Sequence, residues 1–461
     1  MPNLRVYHLN NLEPEIRAVT FAKCSRSALA FDEIAKELTA EKASEFHEKW
    51  VVGYGHSSVA EHAVLSLALE NVSILATKII EDNRLASYTE KSSRYQIFDY
   101  DKLYKPKKLM ESTHRETFEN AINKLMSTYL QIAPAMKNFL TPRTDQAALK
   151  GRICDNIRYL LPVATTTNLG MTINARNLEH AIRKMLSHPL DEAREIGAEL
   201  KKIGSTICPT LIKYADYNKY LAETPINLAK EVKTIFGNAP ASPASSADRS
   251  AGRQPEKSED VELVEYDKDA VDKILAAILY RFSNYPYKQA AERAKLLTME
   301  QREQLLEKFH ANMEKFDWPL RELEHVFYTF DITMDYGAFR DIQRHRICTQ
   351  TNQLLTADLG FSTPPEIIEA GLQKEYLEAI TVAEDAWQKI ARDFPEEAQY
   401  VLPLACRKRT LITANLREMH HFIKLRSGKL GHFSYRQIAQ KCFEKIKAVH
   451  PELAQYIRVT N

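Results

Sequence analysis

Glycine is scarce in this chain, with 13 in 461 residues, while Ala, Leu, Glu and Lys run through its whole length. That balance predicts a helix-rich fold. Cysteine is equally thin. The six (Cys24, Cys154, Cys208, Cys348, Cys406, Cys442) never fall at CxxC spacing. This argues against thiolate zinc sites and dithiol redox chemistry, and predicts reduced, structural thiols. Neither charge is in excess: 63 Lys and Arg face 61 Asp and Glu, for a net charge of +2. Bulk electrostatics therefore give no case for nucleic acid or an anionic membrane as partner. No run of about eighteen apolar residues is present, so no membrane span is predicted. The opening MPNLRVYHLNNLEPE has neither the basic start nor the apolar core of a signal peptide, which predicts a cytoplasmic protein. No metal site is expected either. His56 and His62 stand too far apart for one helix face, and the adjacent His420 and His421 point away from each other.

Apolar residues make up 44% and charged residues 27%, ordinary for a globular chain long enough for two or three domains. One stretch breaks the composition. Residues 238–260 read NAPASPASSADRSAGRQPEKSED, without an aromatic or large aliphatic side chain. Such a segment cannot bury enough surface to fold and predicts a flexible linker. It sets the expected domains at 1–237 and 261–461. Each half then reads alike: a short strand (residues 4–9; 261–266), an amphipathic helix, an alternating apolar run (63–69; 326–332) and a helix leading to a polar motif. Long helices are predicted over 111–137 and 374–392.

The likeness of the halves holds residue by residue. Glu61-His62 opens the run in one half and Glu324-His325 in the other. Leu161-Pro162 matches Leu402-Pro403, and at equal spacing beyond each proline stand Asn174, Arg176 and His180, or Asn415, Arg417 and His421. The helical NARNLEH and NLREMHH segments put each Arg and His on one face. A duplicated polar face of this kind beside an apolar core suits a ligand. The other polar concentration is Arg84-Leu85-Ala86-Ser87-Tyr88-Thr89-Glu90-Lys91-Ser92-Ser93-Arg94-Tyr95. There Glu90 could accept hydrogen bonds from a sugar or amide, and Ser92, Ser93 and Arg94 could cradle a phosphate.

The segments GHSSVAEH, NRLASYTEKSSRY and LPVATTTNLGMTINARNLEH, with Gln343-Arg344-His345-Arg346 and LPLACRKRTLITANLREMHHFIKLR, resemble the flavin-dependent thymidylate synthases. The family hallmark is an RHRxxSxNExSxRY-type stretch. The resemblance covers most of both halves and implies two tandem copies of that helix-rich α/β (α+β) fold. It implies methylation of dUMP to dTMP with FAD as cofactor and with methylenetetrahydrofolate and NADPH as co-substrates. Because family sites form between subunits of a tetramer, a tandem chain is expected to work as a homodimer. The implied substrate contacts are Glu90, Ser92, Ser93, Arg94, Arg158, Arg344 and Arg426. The implied flavin contacts are Ser25, His56, Ser58, Arg344, His345, Arg346, Asn415, Arg417 and His421. Arg426 is the candidate catalytic group, placed to stabilise negative charge on the pyrimidine. No cysteine lies in a basic setting that would favour a thiolate nucleophile.

Departures from the family pattern divide between the halves. The first reads Asp82-Asn83-Arg84 for RHR and Met185 for the late arginine, yet keeps Glu90, Ser92, Arg94 and Arg158. The second keeps Arg344-His345-Arg346 and Arg426, but has Asn352, Leu354 and Thr356 for the loop residues and Gln399 opposite Arg158. Each half thus retains one side of a nucleotide site, which predicts composite sites. Ser93 stands at a family glycine, so strain in that turn is expected. Two further readings fit the same residues: a flavoenzyme acting on another pyrimidine nucleotide or one-carbon donor, and a non-catalytic flavin- or nucleotide-binding protein.

Overall fold

The computed structural model describes residues 4–100, 102–236 and 260–460. Of the linker expected over 238–260, only Asp260 lies among them; the rest falls outside the described residues. The fold is helix-rich with two small antiparallel sheets. The first holds β1 (Val64–Ser73), β2 (Ala86–Glu90) and β3 (Thr166–Asn174) in the order β1-β3-β2. The second holds β4 (Val261–Tyr266), β5 (Phe327–Asp335), β6 (Thr349–Asn352) and β7 (Arg407–Asn415) in the order β4-β5-β7-β6. The alternating runs became β1 and β5, and the long helices run over Arg115–Leu140 and Gln373–Ile390.

The two sheets share a register landmark. Val64 lies opposite Asn174 and Phe327 opposite Asn415, so each central strand ends on the repeated asparagine. Each asparagine then caps the next helix, accepting from Asn177 N at 3.0 Å or Glu418 N at 2.8 Å. A short polar side chain that satisfies an orphan N–H is the physical reason for its recurrence.

Residues 4–9 correct the expected symmetry. They form no strand, although 261–266 do. Leu4 and Val6 stay exposed while Arg5 and the Tyr7 hydroxyl both bind Asp32, so side-chain pairing replaces the ladder.

Contacts divide the chain into two compact units that interleave the sequence halves. One comprises residues 1–123, 162–239 and 388–401; the other 124–161, 240–387 and 402–461. Each unit therefore contains one segment from the opposite half, and each such segment supplies a tyrosine to a buried carboxylate. In the first unit Glu192 accepts from Ser73 N at 2.7 Å, Ser73 Oγ at 2.6 Å and Tyr400 Oη at 2.7 Å. In the second, Asp335 caps the helix Tyr336–Ile342, accepting from Ala338 N at 2.8 Å and from Ser434 Oγ, with Tyr159 alongside. The carboxylate and hydroxyl have exchanged places between the copies, keeping one acid per cluster. Burial lifts both the Glu192 and the Asp335 carboxyl above the usual range.

A buried lysine sits in the second unit. Lys408, on β7, lies over the rings of Phe339 at 4.7 Å and Tyr336 at 5.7 Å, and burial pushes its ammonium down to about 8. A folded pKa below the free-chain value means that the unfolded chain binds the extra proton between about 8 and 10.5. Stability should rise with pH through that window. Lys408→Met is expected to stabilise the fold at pH 7 by on the order of 2 kcal/mol after losing the ring contacts, read as a higher urea midpoint. The gain should shrink toward pH 10; an equal gain at both pH values would refute the charge-burial cause.

Candidate functional site

The helix Tyr336–Ile342 and the turn after it carry the cationic centre of the second unit. Asp341 lies near its end, and although burial pushes the carboxyl up, Arg158, Arg344, Arg426 and Arg340 together hold it below the usual range. Arg426 arrives from the helix Leu416–Arg426. Its Nη2 donates to the Asp341 carbonyl at 2.6 Å, its Nη1 lies 3.7 Å from the carboxylate, and the guanidinium covers the Tyr435 ring at 5.3 Å. Arg344 reaches the same carboxylate at 3.8 Å with much of its side chain exposed. Arg158 is 2% exposed, and its Nε and Nη2 have no hydrogen-bond partner among the described residues. Gly337 makes room for it: a Cβ there would lie 3.3 Å from Nη2. Three of the sequence-predicted substrate residues, Arg158, Arg344 and Arg426, thus share one carboxylate. Among them a buried cation keeps donor capacity to spare, which suits an anion.

The predicted flavin residues of this unit separate into two kinds. His345 is buried with both ring nitrogens engaged, Nδ1 with Glu418 at 2.8 Å and Nε2 with Arg426 at 2.9 Å. Asn415 Oδ1 is held by its helix cap. These two are occupied by the protein's own structure. His421, by contrast, stacks on half-exposed Trp318 at 4.4 Å, and Arg417 covers the same ring at 5.5 Å. Arg417 also donates to Pro319 O and pairs with Glu324, as Arg176 pairs with Glu61 in the other unit. The repeated Glu and Arg are therefore partners in both copies. Arg344 and Arg346 complete the half-exposed cationic surface of this turn.

In the first unit the polar loop is tighter than its sequence suggests. The Glu90 side chain is fully buried, accepting from Lys78 Nζ at 3.1 Å and Thr77 Oγ1 at 3.2 Å, and Lys78 also pairs with buried Glu81. Glu90 thus serves an internal ion cluster and does not face solvent. Ser92 Oγ accepts from Arg94 N at 3.2 Å, Ser93 is buried, and Arg94 is half-buried near the Tyr95 ring at 5.8 Å. The strain expected of Ser93 is not found: Asn71 is the non-glycine residue at positive φ among those described. His56 and Ser58 are exposed, His56 lying 6.1 Å from the Trp50 ring, and Ser25 donates to Ala22 O at the surface.

The altered positions have settled into structural work. Asn83 donates to Ile80 O, Asp82 pairs with Lys184, and Met185 is fully buried in the apolar core. Asn352 accepts from Thr410, and Gln399 donates to Glu396 O. The six cysteines are free thiols, five of them buried. Burial pushes Cys154 up to about 11 and Cys208 up to about 12, so neither is a poised nucleophile.

Sequence reading missed Asp341, Glu418, Trp318 and Lys78. Asp341 carried a signal, since it precedes Arg344 by one helical turn. Lys78 carried the same signal toward Glu81, three residues on, but none toward Glu90 on the following strand.

The family model described as thymidylate synthase complementing protein matches residues 9–210 and again 262–452. A UPF0159 protein of Chlamydia muridarum is 32% identical, covering 98% of this chain and 91% of that protein. A flavin-dependent thymidylate synthase of Clostridium tetani is 27% identical over 44% of this chain and 82% of that protein. A crystal structure of the Helicobacter pylori flavin-dependent thymidylate synthase with FAD and dUMP covers 44% of this chain and all of that one, at 15% identity and a TM-score of 0.34.

Proposed function

Since the chain belongs to the thymidylate synthase complementing protein family, we propose that it methylates dUMP to dTMP as a flavin-dependent thymidylate synthase. In this reading methylenetetrahydrofolate is the carbon donor and NADPH the reductant. The observation that carries it is the gathering of Arg158, Arg344 and Arg426 about Asp341, because these positions correspond to the family's nucleotide contacts. Arg158 comes from the first sequence half and the other two from the second.

The donors on the second unit fit a flavin in part. Arg344 and Arg346 suit a pyrophosphate, and the exposed edge of the Trp318–His421 stack suits a planar ring. His345 does not fit that role, as both its ring nitrogens are engaged, and Asn415 has its Oδ1 taken by the helix cap. FAD, when bound, supplies the hydride that completes the methyl group. The chain's own part is electrostatic. To attack the one-carbon donor, C5 of the uracil must carry enolate-like negative charge shared with the ring oxygen, and the guanidinium of Arg426 is pre-aimed and largely dry, so it stabilises that charge without reorganising. Arg158 and Arg344 hold the phosphate or ribose side.

The complementary losses between the halves support one working site per chain. A homodimer would supply four family-type subunits. Purified protein should show a bound-flavin absorption spectrum, and dUMP should titrate to one equivalent per chain. Two equal equivalents would overturn the single-site arrangement. Absence of dUMP binding, with UMP or dCMP bound in its place, would move the reading to another pyrimidine nucleotide.

A further inference from the structure

Arg426 is held from behind by a chain of two side chains that the sequence reading gave other roles or none. Its Nε–H donates to His345 Nε2 at 2.9 Å. A nitrogen that accepts carries no proton, so the ring proton must sit on Nδ1, which donates to Glu418 Oε1 at 2.8 Å. All three groups are largely removed from water, with His345 and Glu418 both 5% exposed. The groups facing His345 are Glu418, Arg426, Arg346, Asp341 and the ring of His421 at 5.4 Å. Burial, then the charge of Arg426, pushes His345 down to about 3, in keeping with a neutral ring that can accept from a guanidinium.

The first repeat supplies the comparison. Three residues after the capping asparagine stands Glu418 in one copy and Asn177 in the other. The counterpart of His345 is Asn83, which donates to Ile80 O, and that of Arg426 is Met185, buried in the core. Where the arginine is absent, so are both groups behind it.

We propose that Glu418 and His345 are positioning residues for Arg426: the carboxylate fixes the imidazole tautomer, and the imidazole fixes the angle of the guanidinium. This rests on Arg426 being the nucleotide-facing arginine proposed above. The Nε–H and Nη2 are taken by the protein, so Nη1, 3.7 Å from the Asp341 carboxylate, is the nitrogen with donor capacity left for a ligand. The carboxylate is needed because an imidazole with its proton on Nε2 would set two donors against each other.

The test uses the full chain labelled with 15N in histidine and arginine, the signals assigned with His345→Gln and Arg426→Lys. His345 should show a protonated Nδ1 and a bare Nε2, and the Arg426 Nε–H should exchange slowly. Glu418→Leu should scramble the tautomer and weaken dUMP binding roughly tenfold, as should His345→Leu. His345→Gln and Glu418→Gln keep an acceptor in place and should stay within about threefold. If a leucine variant does not fold, the unsubstituted chain and the glutamine variants still decide. A proton on His345 Nε2 overturns the proposal, and so does unchanged dUMP affinity in a folded Glu418→Leu or His345→Leu variant. The predicted tautomer in a chain that binds no dUMP supports the positioning network and overturns the thymidylate reading instead.

Discussion

Arg426→Ala should lower dTMP formation by about 100-fold or more while leaving the protein folded. The rate estimate follows from removing a fixed donor at developing charge, where losses of about two to three orders of magnitude are usual. The fold should survive because Asp341 keeps Arg158, Arg344 and Arg340 as counter-charges. Arg426→Lys should recover little. An ammonium is a point charge, and it cannot reach His345 Nε2 and the Asp341 carbonyl at once, as the guanidinium does at 2.9 and 2.6 Å. Initial rates with saturating dUMP, alongside thermal melts of the same samples, separate chemistry from folding. Full activity in the alanine variant would remove Arg426 from the mechanism.

Lys78→Met should be the most damaging substitution in the first unit. The ammonium lies between Glu81 and Glu90, and the side chains of all three are 5% exposed or less. Its removal takes away the cation shared by Glu81 and Glu90 in a setting away from water, a loss of about 3 kcal/mol. Glu90→Gln alone should cost far less, because Lys78 retains Glu81. Denaturant midpoints of the two variants and the parent at pH 7 check this. A Lys78→Met protein as stable as the parent at pH 7 would show that water reaches the cluster, and would return Glu90 to the set of groups open to a ligand.

The fold was legible where period and spacing set it. The alternating runs became β1 and β5, and the repeated asparagines mark helix caps at matching registers. The recurring Glu and Arg were legible as a pattern but not as a pair. Their meaning, Arg176 on Glu61 and Arg417 on Glu324, needed the turn and strand to be folded together. Residues 4–9 have a strand-like composition, and Asp32, far along the chain, decides against a ladder. In the candidate site, charged residues were found by type, and burial sorted them afterwards. Glu90 read as a ligand group from its polar stretch and His345 from the family resemblance, and neither reading carries burial. Each proves to be engaged by a partner, Lys78 or Glu418, that no local pattern announces.

The exchange of residues 388–401 into the first unit sets a timetable for synthesis. That unit cannot close the Tyr400–Glu192 or Lys108–Glu397 contacts when its own half leaves the ribosome. Another 165 residues or so must be made first, a delay of about ten to thirty seconds at ordinary translation rates. Through that interval Glu192 waits without its tyrosine, and the surface destined for 388–401 is open to chaperones, to proteases and to the same segment of a neighbouring nascent chain.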